Sequence, residues 1–173
     1  MYMALAQRAI NYGPAGVETT LKYMRKLIYD SDKDADRVVK ETAHRIVQNI
    51  PPHEHLQQVK AVTAWVRKNL HYVRDIYNKE EVTSPVFALK QIWSGGLKHS
   101  SDCDDYTVLI SALLRSIGFP VRLEALAVSN PRYDHARLSV FVSGKWLPIE
   151  GTKYQLEVGQ GARSVLPIMS LEL

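Results

Sequence analysis

The stretch Ser101-Asp102-Cys103-Asp104-Asp105 runs straight into the apolar sequence Tyr106 to Ile117, and its reading decides the fold. A polar residue with acidic neighbours opening a periodic apolar stretch marks a helix start, so the pattern predicts a helix with a thiol in its first turn. Gly118, followed closely by Pro120, predicts where that helix stops. Cys103 is the single cysteine of 173 residues. Free N–H groups and the positive end of the helix dipole favour a thiolate there, the nucleophilic form of cysteine, while Asp102, Asp104 and Asp105 oppose it by like charge. A lone cysteine often does no more than fill a core. The company this one keeps changes the reading.

Downstream lie His135, in Tyr133-Asp134-His135-Ala136, and Glu150, in Trp146-Leu147-Pro148-Ile149-Glu150-Gly151-Thr152. Nucleophile, base and orienting carboxylate are thus available in the order Cys, His, acid. After Pro120 the hydrophobic period changes from helical to alternating. Val121, Leu123, Ala125 and Ala127 make one strand face, and Leu138, Val140 and Val142 another. Ser143-Gly144 is a tight-turn signal leading into a third strand, Lys145 to Ile149. A hairpin turning there sets residue 135 opposite about 152, which puts Glu150 within cross-strand reach of His135.

Upstream the chain reads as helices. From Val17, the residues Leu21, Met24, Leu27 and Ile28 recur at helical spacing. A second helix follows with Ser31 or Asp32 as cap and Val38, Val39, Ala43, Ile46 and Val47 as its apolar stripe, ended by Pro51-Pro52. A third, from about His55, carries Val59, Val62, Trp65, Val66 and Leu70. Residues 75–84 read as a polar connection closed by Ser84-Pro85, a cap followed by proline at the first helical position. A short helix through Phe87, Leu89 and Ile92 stops at Gly95-Gly96, and the loop Leu97-Lys98-His99-Ser100 delivers the chain to the cysteine. Helices followed by an antiparallel sheet predict an α+β fold with the sheet packed on the cysteine helix. The expected organisation is one domain over 1–173: a helical N-terminal extension at 1–55, a core at 56–152 and a C-terminal segment at 153–173.

Composition narrows the function classes. A hydrophobic fraction of 46% with 23% charged residues is that of a globular protein, and no apolar run approaches the ~20 residues of a membrane span. One cysteine forms no internal disulfide, and Met1-Tyr2-Met3-Ala4-Leu5 opens no secretory signal, so a cytoplasmic setting without membrane contact is expected. The net charge of +4 gathers in the helical half, where a solvated helix surface accounts for it. No phosphate-binding glycine loop or aromatic-studded basic strand points to nucleic acid. His53-Glu54-His55 meets no standard zinc spacing, so neither metal nor cofactor is expected. His99 is an alternative base four residues before the cysteine.

Three separated segments together resemble the transglutaminase-like branch of the papain-type cysteine enzymes. They are Asp102-Cys103-Asp104-Asp105 opening a helix, His135-Ala136 at a strand start, and Trp146-Leu147-Pro148-Ile149-Glu150-Gly151-Thr152, similar to a Trp-x-Pro-x-Asp-Pro-Thr segment. Tyr72-Val73-Arg74-Asp75, Glu81 and Ser84-Pro85 look like the approach segment of bacterial and phage-associated members. The resemblance runs from about Lys60 to Thr152. Ser101 stands where the family usually has glycine, and Glu150-Gly151 where it has Asp-Pro.

The resemblance implies a papain-like, transglutaminase-core fold and acyl transfer or hydrolysis at a peptide or isopeptide amide, with a protein or peptide substrate. Cys103 is then the nucleophile, His135 the base and Glu150 the residue that orients it. Tyr72 is the candidate oxyanion donor beside the Cys103 N–H, with Asp102 and Asp104 in support. A thiol paired with His135 is expected to titrate below the ~8.5 of free cysteine. The alternative is a non-catalytic binding or assembly module of the same fold, of phage descent. Oligomeric state is not encoded in any motif.

Overall fold

The strand, helix and turn signals fold as follows in a computed structural model, which describes residues 5–9, 13–33, 37–73, 79–95, 100–129 and 131–173. Its elements are β1 (Leu5–Ala9), α1 (Pro14–Ser31), α2 (Val38–Val47), α3 (His55–Asn69), β2 (His71–Tyr72), β3 (Lys79–Thr83), α4 (Pro85–Trp93), β4 (Ser100–Ser101), α5 (Cys103–Ser116), β5 (Val121–Leu126), β6 (His135–Val142), β7 (Lys145–Ile149) and β8 (Met169–Glu172).

Helix α5 is the centre of the molecule. Tyr106, Ile110, Leu113 and Leu114 are fully buried, as are Thr107 and Ser111 on another face, so this helix is covered all round and not along one stripe. Helices α1, α2 and α3 and strands β5 and β6 all pack against it. The α+β expectation holds, with the sheet on the cysteine helix. The buried residues Val17, Leu21, Met24, Leu27 and Ile28 of α1 repeat at three- and four-residue spacing and supply the apolar stripe that seats it.

Two expected caps fared differently. Ser84 Oγ accepts the Phe87 N–H at 3.2 Å with Pro85 in the first turn, as the sequence predicts. Neither Ser31 nor Asp32 caps α2. Ser31 still belongs to α1, where its hydroxyl donates to the Ile28 carbonyl, and the Asp32 carboxylate pairs with Arg115. Helix α2 begins instead behind Arg37, whose φ is 52°.

The polar connection at 75–84 contains an unexpected strand. Strand β3 pairs antiparallel with β1, Leu5 opposite Thr83 and Ala9 opposite Lys79, so the expected all-helical extension opens on a strand. Charged residues at Lys79, Glu80 and Glu81 hid that strand from a hydrophobic-period reading. Arg74 and Asp75 of the approach segment, and Gly96 to His99 of the expected loop, lie outside the described residues.

The main sheet has the order β7-β6-β5-β8, all neighbours antiparallel. Ser143 at φ 51° and Gly144 at φ 83° form the tight turn between β6 and β7. The register Leu138 to Ile149 and Val142 to Lys145 is the one the turn predicts. Strand β8 was not foreseen. It adds the C-terminal segment to the free side of β5, with Leu123 opposite Leu171.

Candidate active site

The first turn of α5 is held by its own acids. Asp102 Oδ1 accepts the N–H groups of Asp104 at 3.0 Å and Asp105 at 3.4 Å, while Asp105 Oδ2 accepts the Asp102 N–H at 3.2 Å. This reciprocal arrangement is a capping box. Asp105 Oδ1 also takes the Thr83 N–H at 2.7 Å, so Asp105 ties α5 to β3. Both its oxygens therefore serve the fold. With those two amides engaged, the Cys103 N–H is the first-turn amide to which no described residue is bonded.

Short strands set the approach to the cysteine. Strands β2 and β4 run parallel, Tyr72 beside Ser101, and the Val73 N–H donates to the Ser101 carbonyl at 3.0 Å. Tyr72 is thereby placed next to the cysteine turn, and at 46% exposure it is not a core aromatic. Ser101 in place of glycine is accommodated because the chain is extended there: among the described non-glycine residues only Arg37 and Ser143 take positive φ.

His135 opens β6 and its ring Nε2 lies 2.6 Å from Glu150 Oε2. Glu150 is fully buried at the end of β7. Its Oε1 accepts the Ala162 N–H at 2.8 Å and faces Arg137 Nη1 at 3.3 Å. Burial raises the carboxyl's pKa, but the bonds from His135 and Ala162 and the charges of His135 and Arg137 outweigh it and hold the group below its ordinary range. Asp134, the other acid near the ring in sequence, is occupied elsewhere: its two oxygens accept the Val128 and Ser129 N–H groups at 2.7 and 3.1 Å. Of the two acids, Glu150 is the one that meets the ring.

The thiol does not complete the chain of hydrogen bonds. Cys103 Sγ bonds Asp104 Oδ1 at 3.6 Å, and the backbone N–H of Ala136, the neighbour of His135, also interacts with it. The structure therefore brings the sulfur to the start of β6 without a bond to the imidazole. Burial, then the charges of Asp104 and Asp102, push the thiol pKa well up against a smaller opposite effect of the Ala136 N–H. The expected acidified thiolate is overturned for the resting protein. Desolvation and like charge exceed the helix-end field.

Sequence reading also missed several supports. Arg67 Nη2 on α3 donates to the carbonyls of Glu150 at 2.6 Å and Leu156 at 2.9 Å, pinning the chain beyond β7. The buried set Glu124, Arg137 and Ser139 lies behind Glu150. Gly151 explains one departure from the Asp-Pro pattern: a Cβ there would stand 2.6 Å from Tyr106 Cβ, near the root of a buried side chain on α5. Gly151→Ala should consequently force strand end and helix apart and cost about 1–3 kcal/mol, read as a lower urea midpoint at unchanged slope. An unchanged midpoint would show that this contact yields freely.

As for metals, Asp102, Cys103 and Asp104 offer ligand atoms within 4.8 Å of one another, and they are the described residues able to hold a cation. His99, the alternative base, lies outside the described residues. No helix among the described residues is long and apolar enough to cross a membrane.

Comparison with known proteins bears on the fold. No curated protein matches the chain. Among solved structures, a candidate cysteine protease from Cytophaga hutchinsonii superposes with a TM-score of 0.51 at 23% identity, over 71% of this chain and 38% of that one. A candidate protease from Parabacteroides distasonis gives 0.56 at 12% identity, over 76% and 26%. LapG of Legionella pneumophila gives 0.50 at 16% identity, over 78% and 75%. The chain thus spans well under half the length of the first two, and at these identities the likeness is one of fold. The family model of the transglutaminase-like superfamily matches residues 40–151, from α2 through the cysteine turn and the His135 strand to Glu150 and the glycine after it. With that match over more than half of its length, the chain belongs to the transglutaminase-like superfamily.

Proposed function

We propose that the protein is a cysteine-dependent enzyme acting on peptide or isopeptide amides, with Cys103 as nucleophile, His135 as base and Glu150 orienting the ring. The observation that carries this reading is the 2.6 Å His135–Glu150 bond at the strand start where the α5 thiol arrives. Glu150 on Nε2 fixes the proton there and leaves Nδ1 as the lone-pair nitrogen. The thiol proton passes to Nδ1 as sulfur attacks the amide carbonyl. The tetrahedral oxyanion is met by the Cys103 N–H and by Tyr72 as the second donor. Collapse breaks the C–N bond, the imidazolium protonates the leaving amine, and a thioester remains. Water resolves it in hydrolysis and an amine in transfer, each giving its proton to His135 and restoring the thiol.

A thiol pKa pushed up by burial and like charge favours His135 as a general base over a preformed thiolate–imidazolium pair. Alkylation of Cys103 by iodoacetamide should then rise with pH through a midpoint above the ~8.5 of free cysteine. Asp104→Asn should lower that midpoint by removing the nearest like charge. A wild-type midpoint well below 8.5 would restore the preformed ion pair.

The same raised thiol pKa favours one second reading, a binding module of this fold without catalysis. Mass spectrometry of protein incubated with peptide amides and a primary amine separates the two. A thioester on Cys103, or amine incorporation into peptide, belongs to the enzyme. Binding without either, at every pH at which Cys103 alkylates, belongs to the module.

A further inference from the structure

Behind Glu150 the outward face of β5 and β6 carries a closed group of buried charges. Glu124 and Arg137 are direct partners in the β5–β6 register, 1% and 6% exposed. Arg137 Nε donates to Glu124 Oε2 at 2.6 Å. Its Nη1 meets Glu150 Oε1 at 3.3 Å and the Ala162 carbonyl at 3.1 Å, while the Ala162 N–H donates to the same Glu150 oxygen. Glu124 is in turn held by the Ser139 hydroxyl and by Arg122 Nε, both at 2.8 Å. Gly161 leaves the guanidinium room: a Cβ there would stand 2.2 Å from Arg137 Nη1.

We infer that Arg137, anchored by Glu124, is a positioning residue that clamps Glu150 Oε1 so that Oε2 faces His135 and fixes the tautomer of its ring. The inference rests on the reading in which Glu150 orients His135. A carboxylate held only by His135 can turn about its side-chain torsions and swing its oxygen off Nε2. Here Arg137 and Ala162 occupy Oε1 together, and that freedom is removed. A glutamate is a methylene longer than the family's aspartate and has one more torsion to fix, which is what the clamp supplies. Ala162 and Gly161 lie beyond the 40–151 span of the family match, so part of the clamp comes from the chain's own C-terminal segment.

Removing one partner of a buried ion pair strands the other, so Arg137→Met alone destabilises for reasons unconnected with His135. The double variant Glu124→Gln/Arg137→Met removes both charges and recovers part of the lost melting temperature. Nitrogen-15 shifts of the neutral His135 ring, read in the whole 173-residue chain, give a signature that stability does not move. Wild type should show one tautomer, with Nε2 protonated. The double variant should show a mixture despite its recovered melting temperature. A tautomer that is fixed again in the double variant, or never lost in either, assigns Arg137 to stability alone and overturns the inference. The readout needs no substrate and no reactive thiol. If Cys103 proves inert while the double variant still mixes the two tautomers, the catalytic reading falls and the clamp stands.

Discussion

Cys103→Ala lowers kcat by at least about 10⁴-fold on any amide the wild-type protein turns over, His135→Ala does the same, and the double variant is no worse than either. The equality follows from the chemistry: without the sulfur there is no thioester for His135 to help form, and without the base a neutral thiol does not attack at useful rates. The raised thiol pKa sharpens this expectation, because it disfavours a thiolate acting without the base. Cys103→Ala should leave the fold intact, the side chain being half-buried and losing only a 3.6 Å bond to Asp104 and the contact with the Ala136 N–H. The check is steady-state turnover beside a thermal melt for all three variants. A Cys103→Ala protein that still hydrolyses the amide puts the chemistry at another residue.

Glu150→Ala should have the largest effect on stability. It empties a fully buried position, takes the acceptor from the Ala162 N–H and leaves Arg137 with one carboxylate in place of two. Breaking a buried pair in this way costs about 3–5 kcal/mol, or about 6–20 °C in Tm for a chain of this size. Glu150→Gln keeps the volume and one acceptor oxygen, so it should retain most of the stability and some activity. The contacts that hold the Glu150 carboxyl below its ordinary 4.5 stabilise the fold above that pH, and the contribution is lost as the pH falls through the lower folded value. Wild type should thus lose more stability than Glu150→Gln between neutral pH and pH 3, as measured by urea midpoints. Parallel pH curves for the two proteins would remove Glu150 from acid sensitivity.

The parts of this site that could be read in the sequence are those set by local signals. The cysteine turn followed from Asp102 and the apolar run after it, and the Ser143-Gly144 turn fixed a register that carried Glu150 to His135. A two-residue turn determines every pairing along its hairpin. No such turn joins β5 to β6, whose connection runs through residues 127–134, so residue spacing alone does not set Glu124 opposite Arg137. Alternation sets both opposite the apolar strand faces and says nothing of their pairing. The Ala162 contact was hidden for another reason: it is made by backbone atoms of an irregular segment, which carry no side-chain signature. The thiol's pKa shift runs opposite to the expectation because burial, a tertiary quantity, adds to the carboxylates against the helix-end field.

The order in which the ribosome delivers these groups adds a consequence. Cys103 and His135 are made first, yet the backbone that grips Glu150 arrives only at Ala162, and strand β8 beside β5 ends at Glu172. A ribosome-bound chain halted before residue 162 carries Cys103, His135 and Glu150 without the peptide group that sets the acid. At about 5–20 residues per second, synthesis takes of order a second to run from Glu150 to Ala162. The Glu150 carboxyl is therefore locked later than it is made, and a nascent chain passes the interval with this site unassembled.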